Sequence, residues 1–497
     1  MKPVLVLGVG SAAPSLRLSA SEVGTAWGGG GGRAAVAVCD ADEDTLTLAW
    51  RAAVGALGAA GVDAGAVGGL WWGTTRPPFA EGPSHAFLAA ALGCGPGTEG
   101  ALTSGSPHAG MEALAAAWDA VAAGHVETAL VVASDAVVPG LGTAAESSTG
   151  AGAAALVLRA PADAGNGTAG AARLSGRVTR SLPVLDRYRP DAGAATEDVY
   201  DGRLFREEVY LPLLAEAAQA VAAGGPAVTA WAASDPDGKL AGALARRLGA
   251  PLASAPVQAA LGDTGAASPL LGLIEALAGG DTAGANGTGA RLVGAVGYGG
   301  GRASAVTVEV SRPVPGARPV ADLGPGRAAG YVEVLRARGQ LEPLAEPIPM
   351  GVPPGGAAFV RGNVEMLALL GARCGACGTI STPPSIHPTC TGCGGSQLEV
   401  VPLARTGRVQ TFVVNQTMPP PFQAPLPLVV VDLDDGARLM VQGSPVDAAE
   451  LAVGDEVALS LYRYALERGV PVYGYKALRT GRTGDAGGGR SAEEVAR

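Results

Sequence analysis

The chain has 497 residues, enough for two to four domains, and 48% of them are hydrophobic against 16% charged. Its formal charge is 35 − 45 = −10, which argues against nucleic acid or an anionic membrane surface as the main partner. No run of 18 apolar residues escapes interruption by Gly or a polar residue, so no transmembrane helix is expected.

The opening MKPVLVLGVG reads as a buried strand over residues 4–8, not as a signal peptide. Residues 22–33 give a short polar helix start and a Gly run. Asp42-Glu43-Asp44-Thr45 then caps a helix with Leu46, Ala49, Ala53 and Leu57 on one face. A strand is expected over 66–73 and a helix over 85–93. The stretch Leu102–Gly124 comes next and organises the rest. Ser104, Gly105, Ser106 and Pro107 form a small-residue elbow, and Ala109, Ala113, Leu114, Ala117, Trp118 and Val121 then recur at helical spacing. The Ala-rich wall predicts a helix packed tightly at the centre of a domain. The N–H groups and dipole at such an elbow favour an anion or a nucleophile.

Apolar runs at 129–133 and 150–159 predict buried strands, and 161–170 a loop between two halves. The second half repeats the rhythm. It has a long helix over 205–224, a strand over 227–233 and a helix over 238–249. A small-residue loop then runs into a helix across 262–279, and a hairpin turns on glycines within 291–310. Alternating strands and helices in two similar halves predict a layered α/β fold with ligand sites at loops leaving the strand C-termini. From 311 prolines mark a linker, with a helix over 330–342. Several short strands over 398–479 read as a small β-barrel. The expected domains are 1–160, 171–312, a linker and helix at 313–365, a cysteine module at 366–397, the barrel at 398–480 and a flexible tail at 481–497.

Cys374-x2-Cys377-x12-Cys390-x2-Cys393 is the strongest chemical motif. Two knuckles of paired thiolates give a closed tetrahedral Zn2+ site with no open position for substrate, hence a structural role. His387 between them reads as an exposed loop residue. Paired cysteines of this kind suit a reducing compartment, and a cytoplasmic location is expected.

Residues 340–480 resemble the zinc-ribbon plus OB-fold family that accompanies thiolase-type proteins. The matching pieces are the four cysteines, Thr406-Gly407-Arg408-Val409, the run Pro425–Leu433 and Val453-Gly454-Asp455-Glu456-Val457. Residues 1–310 resemble the thiolase superfamily, in its 3-hydroxy-3-methylglutaryl-CoA (HMG-CoA) synthase branch. The supporting stretches include Asp42–Thr45, the elbow helix, STGAGAAALVL, Asp201–Phe205, Asp235–Lys239, Gly262-Asp263-Thr264 and Gly297–Gly301. Together the two resemblances imply a duplicated five-layer αβαβα fold, then a rubredoxin-like zinc ribbon and an all-β OB-fold barrel. They imply an acyl-CoA or acyl-carrier thioester as ligand. They also imply a homodimer, or a heteromer with a thiolase-family subunit.

The resemblance also assigns catalytic positions, and this sequence departs from each. Pro107 stands at the nucleophilic Cys, Thr75 at the acid/base Glu, Ser234 at the His and Asp263 at the Asn. Losing thiolate, proton acceptor and enolisation base together removes the ordinary condensation. Ser106 is either a replacement nucleophile, with His108 as the only local base, or an N-cap with Pro107 at N1; the cap reading is favoured. Tyr298 and Asp263 are the other acid/base candidates, against packing beside the Gly turn and capping of the following helix. Asp235 and Asp237 share the loops that face the pocket in the family. Gly299 and Gly300 offer N–H groups to a thioester carbonyl, and Arg203 and Lys239 offer charge to CoA phosphates. The expected function is therefore acyl transfer or C–C bond making or breaking without the usual Cys/His/Glu set. The alternative is a non-catalytic partner that completes a CoA site in a separate thiolase subunit.

Overall fold

The computed structural model describes residues 2–29, 32, 34–161, 171–191, 194–197, 201–236, 238–279, 290–341, 357–418, 424–467 and 469–480. It divides into two units, Met1–His85 with Gly95–Gln340, and Ala86–Cys94 with Leu341–Arg497. The tail at 481–497, and the inter-half loop beyond Pro161, lie outside the described residues.

The larger unit carries β1 (Val4–Ala12), β2 (Leu16–Ser19), β3 (Ala35–Val38), β4 (Gly69–Gly73), β5 (Glu99–Thr103) and β6 (Thr128–Ala136). They are followed by β7 (Ala151–Arg159), β8 (Ala172–Ser181), β9 (Val228–Ala233), β10 (Arg291–Gly299), β11 (Arg302–Val310) and β12 (Arg327–Ala328). Nine of these form one sheet in the order β5-β4-β6-β7-β1-β8-β11-β10-β9, and β12-β2-β3 form a small one.

The large sheet is two copies of one pattern joined where β1 pairs with β8. In each half the first strand lies antiparallel to the last, and the last antiparallel to the one before it. The remaining strands run parallel. Among the described residues the second half keeps only a trace of its third strand, a single parallel bridge between Trp231 and Leu252.

Helices make the other layers. Thr45–Ala60 packs on β1, β6 and β7, and Leu211–Ala222 on β8, β10 and β11. Between the half-sheets lie Ala109–Ala123 and Ser268–Ala278, which touch each other. Small residues allow this: a Cβ on Gly110 would stand 2.1 Å from the Ala266 carbonyl oxygen. The duplicated five-layer arrangement is thus as expected.

Local chemistry sets the helix ends. The Asp44 carboxylate accepts from the Leu46 and Thr47 N–H groups while the Asp44 N–H donates to Thr47 Oγ1, a reciprocal box. The helix expected as one piece over 205–224 is Gly202–Phe205, a π turn over Arg206–Tyr210, and Leu211–Ala222. Pro212 has no N–H to continue the ordinary ladder, and the wider turn absorbs the mismatch. The strand expected from residue 66 starts at Gly69, because Asp63 caps a 3₁₀ turn over Ala64–Ala66.

The smaller unit holds β13 (Leu370–Cys374), β14 (Ile380–Ser381) and β15 (Leu398–Pro402) in one sheet. A closed barrel follows, β16 (Thr406–Asn415), β17 (Leu426–Leu433), β18 (Arg438–Gly443), β19 (Glu456–Glu467) and β20 (Val470–Arg479). The barrel expected from residue 398 therefore opens at Thr406, since Leu398–Pro402 pairs with β13 instead. The helix Ser84–Leu92 clusters with this unit from Ala86 onward. Arg405 Nη2 donates to the Ala91 carbonyl at 3.0 Å, and the Phe87 ring meets Tyr473 edge-on at 6.4 Å.

Before the helix Thr45–Ala60, burial and the nearby charge of Asp42 push the Asp40 carboxyl up to about 6. That lies above the unfolded value of about 3.9, so ionisation is costlier in the folded state. Stability then falls as pH rises through this window, and the whole cost is present above pH 7. Asp40→Asn should gain roughly 1–3 kcal/mol over the native chain at pH 8 and almost nothing near pH 4. Denaturant melts at the two pH values check this.

Candidate active site

The first elbow joins β5 to the helix Ala109–Ala123. Ser106 Oγ accepts the His108 N–H at 3.2 Å and the Ser106 carbonyl accepts the Ala109 N–H at 3.0 Å. The hydroxyl thus makes a cap's bond, although regular helix begins only at Ala109. His108 is not a base for Ser106. Its buried ring puts Nδ1 3.2 Å from Glu112 Oε1, one turn along the helix, and Nε2 2.8 Å from Ser304 Oγ on β11. Glu112 also pairs with Arg302, and its carboxyl sits below the usual range, mainly through the His108 contact.

The second elbow precedes the helix Ser268–Ala278. Asp263 Oδ1 accepts from the Gly265 N–H at 3.1 Å and the Ser268 hydroxyl at 3.0 Å, which is a capping role. Its Oδ2 meets Arg187 Nη1 at 2.7 Å in a pair whose side chains are 10% and 4% exposed. The acid/base candidate Asp263 is therefore a buried ion-pair partner.

Between the elbows comes the hairpin of β10 and β11. Gly300 and Gly301 have φ of +57° and +71°, as a two-residue primed turn demands. Gly299 lies so near the first elbow that a Cβ would stand 2.4 Å from the His108 nitrogen. These glycines seat the hairpin on the elbow. Tyr298 just before them is buried and stacks edge-on to Tyr210 at 4.6 Å. Among the described residues its hydroxyl has no hydrogen-bond partner of ordinary geometry. Burial, then the Asp186 carboxylate, push this phenol above its ordinary range. Burial likewise raises the Asp186 carboxyl.

Ser234 Oγ accepts the Tyr298 N–H at 3.2 Å, and the Asp235 carboxylate accepts from the Lys239, Leu240 and Ala241 N–H groups. Asp235 is thus a cap for the helix Ala241–Leu248; Asp237 lies outside the described residues.

Pro107, Ser234, Asp263, Tyr298 and Gly299 meet at one cavity, closed by Asp186, Arg187, Tyr210 and Pro236. Its volume is about 10 Å³, room for about one water molecule. Of the sequence candidates, Tyr298, Asp263 and Gly299 line it. Ser106, His108 and Gly300 do not line it, nor do the exposed side chains of Arg203 and Lys239.

Three acidic or basic residues of this region were not foreseen. Asp186 and Arg187 arrive on a segment without helix or strand. Asp135, one residue before the end of β6, is fully buried and accepts from the Thr75 hydroxyl at 2.7 Å and the Ala266 N–H at 3.0 Å. Burial pushes its carboxyl up. The available signal was Ser134-Asp135 closing an apolar strand.

In the smaller unit the four cysteine sulfurs lie within 4.8 Å of one another, with Cys374–Cys393 at 3.7 Å and Cys377–Cys390 at 3.5 Å. A tetrahedron of ~2.3 Å Zn–S bonds has edges of about 3.8 Å, so the donor set fits zinc. The two knuckles are alike: the Gly378 N–H bonds the Cys374 carbonyl and the Gly394 N–H the Cys390 carbonyl, both at 2.9 Å. His387 stays apart, half-buried, with Nε2 3.1 Å from the Thr382 carbonyl.

A solved structure of MvaS in complex with 3-hydroxy-3-methylglutaryl coenzyme A superposes with a TM-score of 0.58 at 23% identity, over 71% of this chain and 95% of that one. A curacin-pathway HMG synthase in complex with acetyl donor-ACP gives 0.55 at 17%, over 68% and 88%. The larger unit has a thiolase-like fold. In sequence, the HMG-CoA synthase of Pyrococcus furiosus is 35% identical over 159 residues, 32% of this chain and 45% of that protein. The chain spans less than half the length of the curated relatives it matches. Beyond the thiolase-like unit, a family model described as the ChsH2 C-terminal OB-fold domain matches residues 400–461, and the closed barrel is an OB-fold. Among the described residues no helix is long and apolar enough to cross a membrane.

Proposed function

We propose that this chain works on acyl-CoA or acyl-carrier thioesters, in acyl transfer or in making or breaking a carbon–carbon bond, without a cysteinyl intermediate. One observation carries the reading. The two elbows and the glycine hairpin converge on a single cavity, and the positions that the family resemblance assigns to Cys, His and Asn meet there as Pro107, Ser234 and Asp263. The place of the chemistry is kept while its thiolate is gone. Relatives named as HMG-CoA synthases, and neighbours solved with CoA or carrier-protein ligands, support the thioester. Zn2+ is proposed as a structural ion on the four cysteines. A cytoplasmic dimer, or a heteromer with a thiolase-family subunit, completes the reading.

The small cavity favours a second reading, in which the chain completes a CoA site in a separate thiolase subunit and does no chemistry itself. Calorimetry with CoA and a panel of acyl-CoAs, with intact mass and a product-turnover assay on the same samples, separates the two. Binding and turnover with no mass adduct is the expected result. An acyl adduct lost in Ser106→Ala would establish a serine acyl-enzyme and overturn the capping role. Binding without turnover would leave the partner reading, and no binding would sink thioester recognition by the isolated chain.

A further inference from the structure

Residues Leu182–Arg189 cross the cavity as a strap packed inside out. Leu185 is 73% exposed and Tyr188 47%, while Asp186 is 6% exposed and the Arg187 side chain 10%. Hydrophobic burial alone would turn this segment over. Both ends are pinned. The Leu182 N–H bonds the Gly301 carbonyl at 2.7 Å. Tyr188 exchanges backbone bonds with Glu197 at 3.1 and 2.8 Å, and Arg189 Nη2 reaches the Thr75 carbonyl at 2.6 Å. What turns the middle inward is Arg187, bonded to Asp263 at 2.7 Å and to the Pro236 carbonyl at 3.4 Å.

We propose that the Arg187–Asp263 ion pair is a latch that holds this strap closed over the site, and that the strap rolls outward when the pair breaks. The inference rests on reading the cavity as the acyl-thioester site. With the strap closed the cavity has room for about one water and not for an acyl group. Open, it returns two charged groups to water and can bury Leu185. Each state has one favourable and one unfavourable burial, the condition for two competing populations. On opening, Asp263 Oδ1 keeps its bonds from the Gly265 N–H and the Ser268 hydroxyl, while Oδ2 exchanges Arg187 for water.

Ser234 lines the cavity at 3% exposure, so Ser234→Cys in the full chain gives a reporter thiol. Its alkylation by iodoacetamide, followed by peptide mass mapping, reads access independently of any CoA ligand. Arg187→Gln in this background should speed labelling roughly tenfold or more, since reaction proceeds through the open population. Asp263→Asn, which keeps an acceptor for Gly265 and Ser268, should do the same and carries the test if Arg187→Gln does not fold. Hydrogen exchange should quicken over the strap and not in the helix Ala109–Ala123. Unchanged labelling, or exchange that quickens uniformly, overturns the latch. Faster labelling with no acyl-CoA binding in either form keeps the latch and fails the thioester reading. Unchanged labelling with acyl-CoA binding does the reverse.

Discussion

Cys390→Ser is expected to abolish binding of the proposed zinc and unravel the sheet around it. Cys390 is buried, and its sulfur closes one edge of the sulfur tetrahedron opposite Cys377. The three strands of that sheet have five, two and five residues, too few to bury a core of their own. Zinc on four thiolates contributes on the order of 10 kcal/mol or more in small metal modules, as much as the whole stability of a typical domain. Native mass spectrometry should fall from one metal per chain to none. Hydrogen exchange over 370–402 should approach the unprotected rate while the larger unit's core stays protected. A chelator of high zinc affinity should reproduce the pattern in the unaltered chain. Full metal content and unchanged protection in the variant would contradict the assignment.

The second large effect is expected at Gly110→Ala. The added methyl would point at the Ala266 carbonyl 2.1 Å away and meet the Ala133 Cβ at 3.0 Å. Backbone cannot yield as a side-chain tip does, so the first turn of the helix Ala109–Ala123 must move off the second elbow. Overpacking of this kind costs about 3 kcal/mol, a melting shift on the order of 4 °C for a unit of this size. The damage would not stay local. The Ala266 N–H bonds Asp135, and Asp135 holds Thr75, so the shift reaches the wall behind the cavity. Gly58→Ala is the control. Gly58 is exposed on the helix Thr45–Ala60 with nothing within 4 Å of the added carbon, and should gain roughly 0.5–1 kcal/mol from helix propensity and a less free unfolded chain.

What was legible in the sequence was local. Small residues before an apolar helix, glycines at a hairpin and paired cysteines each announce themselves within a dozen residues. All three stand where the pattern put them. What was not legible depends on partners far apart in the chain. Helical spacing points His108 away from Ser106, but nothing local names where its ring goes, to Glu112 and to Ser304, 196 positions away. Arg187 sits in a stretch with no periodicity, and only the fold brings Asp263 to it, 76 positions on. Leu398–Pro402 had strand character that fitted either neighbouring sheet, and pairing with β13 decided the matter.

The helix Ser84–Leu92 has a consequence for how the molecule is made. From Ala86 it belongs to a unit whose other residues begin at Leu341. Its carbonyl partner Arg405 and its ring partner Tyr473 leave the ribosome more than 300 residues later, a wait of roughly 15–80 s at ordinary synthesis rates. Through that interval the emerging chain carries Leu88, Ala91 and Leu92 without their final surroundings, an opening for chaperones or for aggregation. The smaller unit is also discontinuous in sequence, so cutting the gene at residue 340 would not yield two self-sufficient products. The C-terminal fragment would lack nine residues of its own fold, and adding the peptide 86–94 in trans, or permuting the chain to place it first, should restore it.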